Sequence, residues 1–219
     1  MLLMNMFIGA LIYYLPFQFQ AVRQNSAERS GVVNLAFLMP LMLSPLLSGA
    51  IITLVGWYVP LMYIGGILAV TGAGLITTLG ATTSASLVIA YQFIAGFGSG
   101  LCHQIPYTAI LQNLPNDVVP GSALCSFLNS LGSILGIVIS QTIFANLLQR
   151  NLGEVKGVDA HAIIQAGPTK IGSVVAAEMV DAVRDAYNSA LRNTFILPVV
   201  AAGLCCICAM GMEWKRIKK

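Results

Sequence analysis

Charge is what this 219-residue sequence has least of. Asp, Glu, Lys and Arg make up 9% of it, against about 25% in an ordinary soluble domain. So few charges could not give a globule a water-compatible surface. A lipid bilayer removes that requirement, because side chains facing lipid can be apolar all round. Charge is scarcest where chemistry would use it: no Asp, Glu, Lys or Arg falls in the central part of any long apolar run. That leaves no carboxylate pair for acid–base work and no mixed His and acidic cluster for a metal. The cysteines Cys102, Cys125, Cys205, Cys206 and Cys208 lie inside apolar segments with no His at ligand spacing, and read as small packers. We expect neither an enzyme nor a cofactor.

The net charge of +3 is small and concentrated. Lys215, Arg216, Lys218 and Lys219 follow an apolar segment, a placement that suits anionic lipid headgroups better than nucleic acid. A cleavable leader is not evident either. The first segment lacks a positive n-region and runs on through Tyr13, Tyr14 and Pro16, as a spanning helix would. The chain opens directly on that helix, from which we expect further segments upstream.

What is present is a set of six apolar runs. A hydrocarbon core of about 30 Å takes roughly 20 helical residues, and residues 2–22, 32–55, 58–79, 86–111, 119–148 and 193–212 meet that length. They are too long and too uniformly apolar for the alternating segments of a barrel. The predicted fold is therefore all-α: one six-helix membrane domain, residues 1–219. Short breaks such as 23–30, 55–58, 80–84 and 113–117 force antiparallel neighbours. The exception is the polar loop 149–192. Within it Ile171, Val175, Met179, Val183, Tyr187 and Leu191 recur every fourth residue among polar positions. We expect an amphipathic helix over about 171–191, lying along the membrane surface.

Six spans put both ends on one side, and the basic tail argues that this side is cytosolic. Counting Lys and Arg over the loops points the other way, since Arg23, Arg29, Arg150, Lys156, Lys170, Arg184 and Arg192 all lie opposite.

Small and polar residues inside the spans carry the remaining information. Gly96 and Gly100, and Gly132 and Gly136, stand four apart, the spacing that lets helix backbones approach closely. Gly96, Gly98 and Gly100 follow no strand, so a phosphate loop is excluded by context. Gln92, His103, Gln104 and Tyr107 in the fourth run cost free energy in lipid unless they find partners or water. Asn129 and Gln141 in the fifth, and Tyr14 and Gln18 in the first, pose the same problem. They either bond to neighbouring helices or line a wet cavity. Pro40, Pro45 and Pro106 interrupt helix hydrogen bonding and supply kinks.

Several runs look familiar together. Tyr13-Tyr14-Leu15-Pro16-Phe17-Gln18-Phe19-Gln20-Ala21-Val22 with Ser30-Gly31-Val32, and Tyr91-Gln92-Phe93-Ile94-Ala95-Gly96-Phe97-Gly98-Ser99-Gly100, are two of them. Gln104-Ile105-Pro106-Tyr107-Thr108-Ala109 and Gln141-Thr142-Ile143-Phe144-Ala145-Asn146 are two more. Their order and spacing resemble the C-terminal half of fungal major facilitator superfamily pumps, the fourteen-helix drug:proton antiporters that include toxin efflux pumps. The resemblance implies a bundle forming one wall of a central cavity, cytosolic termini in a plasma or vacuolar membrane, and a small lipophilic substrate. It also implies that the proton-coupling charged residues lie in an N-terminal six- to eight-helix half that this chain lacks. Tyr14, Gln18, Gln92, His103, Gln104, Tyr107, Asn129 and Gln141 are then cavity candidates. The competing expectation is a non-transporting membrane protein that pairs with a full-length transporter.

Overall fold

The computed structural model describes residues 1–113, 116–155, 163–164, 175 and 179–212. Among them every regular element is helical: α1 (Leu2–Phe17), a π-helical turn (Gln18–Val22), α2 (Ala27–Val55), α3 (Val59–Ile76), α4 (Ala85–His103), α5 (Ile105–Asn113), α6 (Val118–Gly153), α7 (Val180–Thr194) and α8 (Ile196–Ala209). Six helical runs are long and apolar enough to cross a membrane. The basic tail at 215–219, part of the 113–117 break and most of 156–178 lie outside the described residues.

Local chemistry sets the boundaries. Ser26 Oγ accepts the Arg29 backbone N–H at 3.2 Å and caps α2. At the other end Gly56 turns the chain at φ 80°, a left-handed conformation that costs glycine nothing. Prolines explain the interruptions. Pro106 has no N–H and its ring crowds the Cys102 carbonyl, so the fourth run breaks at Gln104 into α4 and α5 rather than continuing over 86–111. Pro198 does the same to the Thr194 carbonyl, and the break falls at Phe195.

That second break changes the reading of the last span. The sequence suggested a spanning helix over 193–212 preceded by a separate amphipathic one. Instead α7 and α8 follow one another across a single residue, as one run from Val180 to Ala209. α7 is amphipathic, as expected. Its apolar side, with Val183, Tyr187, Ala190 and Leu191, is buried against α6 and the π-turn. The protein itself covers that face.

Packing divides the helices into two triplets. α4 lies between α2 and α3, α1 lies between α6 and α8, and α3 against α8 joins the groups. Exchanging α1, α2, α3 for α4, α6, α8 reproduces the same set of neighbours. Each triplet has a glycine seam. A Cβ on Gly96 or Gly100 would run into the Phe37 or Leu41 carbonyl oxygen of α2; one on Gly132 or Gly136 would run into that of Leu2 or Met6 in α1. The Leu41 carbonyl is special, because residue 45 is proline and cannot serve as its helical donor.

Large apolar side chains remain outside the core. Leu54 is 78% exposed and Val119 81%, and Met42, Leu46 and Phe127 are exposed as well. Such a surface is tolerable only in hydrocarbon or against another protein. α2 and α6 are the least buried of the six spans.

Replacing Gly100 or Gly136 with Val should lower stability by about 1–3 kcal/mol through overpacking. Gly74, with nothing within 4 Å of an added Cβ, should accept Ala at no cost or with a gain of up to about 1 kcal/mol. Thermal unfolding in detergent reads the contrast; equal shifts at all three positions would refute the seams.

Candidate functional site

Seven of the eight polar candidates fall into two groups. Tyr14 is 1% exposed, its ring 5.4 Å from that of Phe144 in α6 and close to Tyr13 and Phe17. It belongs to an aromatic cluster inside the bundle. Gln18, also buried, opens the π-turn; its amide donates to Asn188 Oδ1 of α7 at 3.0 Å and to the Leu79 carbonyl at 3.5 Å. Gln92 is fully buried and donates to Val88 within its own helix at 3.1 Å. These three sit in packed interior.

The second group gathers where α4 breaks. His103 is half-buried at the end of α4, with the Asn129 side chain of α6 in hydrogen-bonding reach. One turn on, Tyr107 of α5 shares a 3.4 Å hydroxyl contact with Ser126 of α6. Gln104, at the break itself, is exposed. Asn113 closes α5 and donates to the Tyr58 hydroxyl at 3.4 Å. At the proline break His103 thus meets Asn129 and Tyr107 meets Ser126, with Gln104 exposed beside them. Gln141 lies further along α6, exposed and apart from this strip.

Orphaned oxygens mark a second polar line, between α2 and α4. Gln92 Oε1, Asn34 Oδ1 and Ser30 Oγ are buried without a hydrogen-bond partner. Phe37 packs against Gly96, and Ser48 donates to the Leu101 carbonyl at 3.2 Å. α2 and α4 therefore run parallel, and Asn34 stands level with Gln92. Buried acceptors of this kind call for a water or a ligand donor. Sequence reasoning missed Asn34, although a lone amide in an otherwise apolar run was a readable signal. It also missed Ser126 and gave Asn188 no role, because nothing local says which partner a polar residue meets.

The far end is stapled by arginine. Arg184 of α7 donates Nε and Nη2 to the Val22 carbonyl at 3.0 and 2.7 Å, and Nη1 to Asp181 at 3.1 Å. Arg23 reaches the Gly80 and Thr83 carbonyls, and Arg192 the Thr77 carbonyl at 2.9 Å. A polar pocket of about 450 Å³ lies beside Arg192, between Thr77 and the Asp185–Asn193 stretch. Among the described residues no group of His, Cys, Asp and Glu could hold a metal ion.

These features define a polytopic, helical integral membrane protein with polar strips between its helices. Comparison with curated proteins says which kind. The chain is 35% identical over 210 residues to the MFS-type efflux pump MFS1 of Trichophyton rubrum and to the efflux pump roqT of Penicillium rubens. It is 35% identical over 220 residues to the acetylaranotin efflux transporter ataA of Aspergillus terreus. The matches cover 95%, 95% and 98% of this chain, so along nearly its whole length it is homologous to major facilitator superfamily efflux pumps and transporters. It spans 39%, 39% and 49% of those relatives' own lengths. No family model matches the chain.

The Gln18–Asn188 bond is testable by a double-mutant cycle. Gln18→Leu and Asn188→Leu should each destabilise the protein, and the pair should cost less than the sum by about 1 kcal/mol. Strict additivity in detergent unfolding would show that the amides do not interact.

Proposed function

We propose that this chain forms one half of an efflux transporter for lipophilic small molecules, with both termini cytosolic in a plasma or vacuolar membrane. The observation that carries the reading is the polar strip of His103, Gln104, Tyr107 and Asn129 where α4 breaks into α5 beside α6. It sets a few hydrogen-bonding groups in an apolar surround, the composition that suits a lipophilic ligand with scattered polar atoms. The names of the relatives supply the direction of transport, and their greater length supports an N-terminal partner half. In this superfamily a substrate binds between two halves that rock against each other. The exposed apolar faces of α2 and α6 offer a surface for such a partner.

Proton coupling would then reside in that other half. No Asp or Glu occupies the middle of any of the six spans, so this chain brings no carboxylate there to cycle a proton within the membrane. His103 contributes a hydrogen bond to Asn129 in this reading. A non-transporting partner of a full-length pump would use the same surfaces, and co-purification with an intact transporter is the outcome that would favour it.

Purified and reconstituted alone into liposomes, the chain should give no uptake of a lipophilic cationic dye under an imposed proton gradient. It should still bind the dye, and Gln104→Leu with Asn129→Leu should weaken that binding about tenfold, as expected for two lost polar contacts. Proton-driven uptake by the chain alone would overturn the half-transporter assignment; dye binding indifferent to both substitutions would overturn the site.

A further inference from the structure

The end of the bundle opposite Met1 gathers three guanidinium groups around one pocket of about 220 Å³. Arg23 comes from the residue after the π-turn, Arg29 from the first turn of α2 and Arg184 from α7. Val33, Val88 and Ile89 supply its apolar side. The pocket lies near the start of α4 and the polar strip at its end. At about 1.5 Å per residue the two are roughly 25 Å apart.

Three like charges in one pocket repel one another, the more so where water is displaced. Among the described residues, nearby carboxylates answer only part of this. Asp181 pairs with Arg184 while its own side chain is 89% exposed, and Glu28 stands on the exposed first turn of α2. Burial draws the Arg23 pKa below its ordinary value, which marks a cation partly stripped of water. Arg23 and Arg184 are fixed by their backbone acceptors, so neither can swing away to relieve the repulsion. Among the described residues no hydrogen bond or ion pair engages the Arg29 guanidinium. The N-terminus of α2 adds a further partial positive charge at the same place.

We propose that this pocket binds an amphipathic organic anion, its carboxylate or phosphate oxygens held by the free N–H groups of Arg23 and Arg29 and its first carbons resting on Val33, Val88 and Ile89. Guanidinium suits such a head because its planar fork matches two oxygens at once. The neighbouring apolar side chains exclude a bare inorganic ion as the best fit and favour a head with hydrocarbon attached. An anionic phospholipid and a free alkanoate share this chemistry. The proposal stands apart from the transport reading, since it needs neither the polar strip nor a second half.

The test uses the full chain in a neutral maltoside detergent with two pairs of probes. Decanoate is titrated against decanol, and phosphatidylglycerol against phosphatidylcholine, the lipids read by native mass spectrometry. At least one anion should bind more tightly than its neutral counterpart, more weakly as salt is raised. Arg29→Gln should lose about tenfold of that preference, the worth of one charge-assisted hydrogen bond, and Arg29→Lys should keep part of it. Arg29 is exposed and engages no described side chain, so these variants should leave the unfolding temperature unchanged. A preference for phosphatidylglycerol alone assigns the pocket to lipid; a preference that includes decanoate assigns it to a free anion. If neither anion outbinds its neutral partner, or Arg29→Gln binds as the parent does, the site does not exist.

Discussion

In hydrocarbon, two apolar helices gain nothing by hiding from the solvent, so what holds this bundle is how closely its backbones approach. Removing a side chain at Gly96, Gly100, Gly132 and Gly136 brings a neighbouring helix's carbonyl oxygens into contact with the glycine backbone. Dispersion over that close seam, with Cα–H···O contacts along it, replaces the hydrophobic drive that a water-soluble core would have. The two seams occupy equivalent places in the two triplets, α4 on α2 and α6 on α1. α3 packs on α4 along close glycine contacts of its own, Gly65 and Gly72 against Gly98 and Ala95, and α8 closes the gap between the triplets.

Prolines then decide where the seams end. Pro106 and Pro198 each break a long run two or three residues upstream of themselves. The first break produces the turn that carries Gln104. The second separates α8 from α7, which covers the π-turn at the end of α1. Pro40 and Pro45 lie inside α2 without ending it.

The six spans were legible because length and apolar composition are properties of a segment alone. So was the amphipathic pattern of α7, whose buried and exposed positions alternate as its sequence says. Its placement was not legible, since periodicity identifies an apolar face but not what covers it. The same limit divides the polar residues. His103, Gln104 and Tyr107 flank a break that a visible proline marks, and there His103 meets Asn129 and Tyr107 meets Ser126. Tyr14, Gln18 and Gln92 looked identical in kind, yet α6, α7 and α2 bury them, and those neighbours are set by contacts far along the chain. The arginine pocket was invisible for that reason: its outermost members, Arg23 and Arg184, are brought together only by the fold.

The π-turn at Gln18–Val22 carries a consequence for how the first span relates to the others. A turn with one residue more than an α-helical turn advances the helical phase by about a hundred degrees relative to a continuous α-helix. The first span therefore presents one set of positions to α6 and α8 along most of its length and a rotated set to α7 at its end. Val22, whose carbonyl receives both Arg184 bonds, owes its orientation to that extra residue. The span thus meets its neighbours like two cams on one shaft, each set at its own phase.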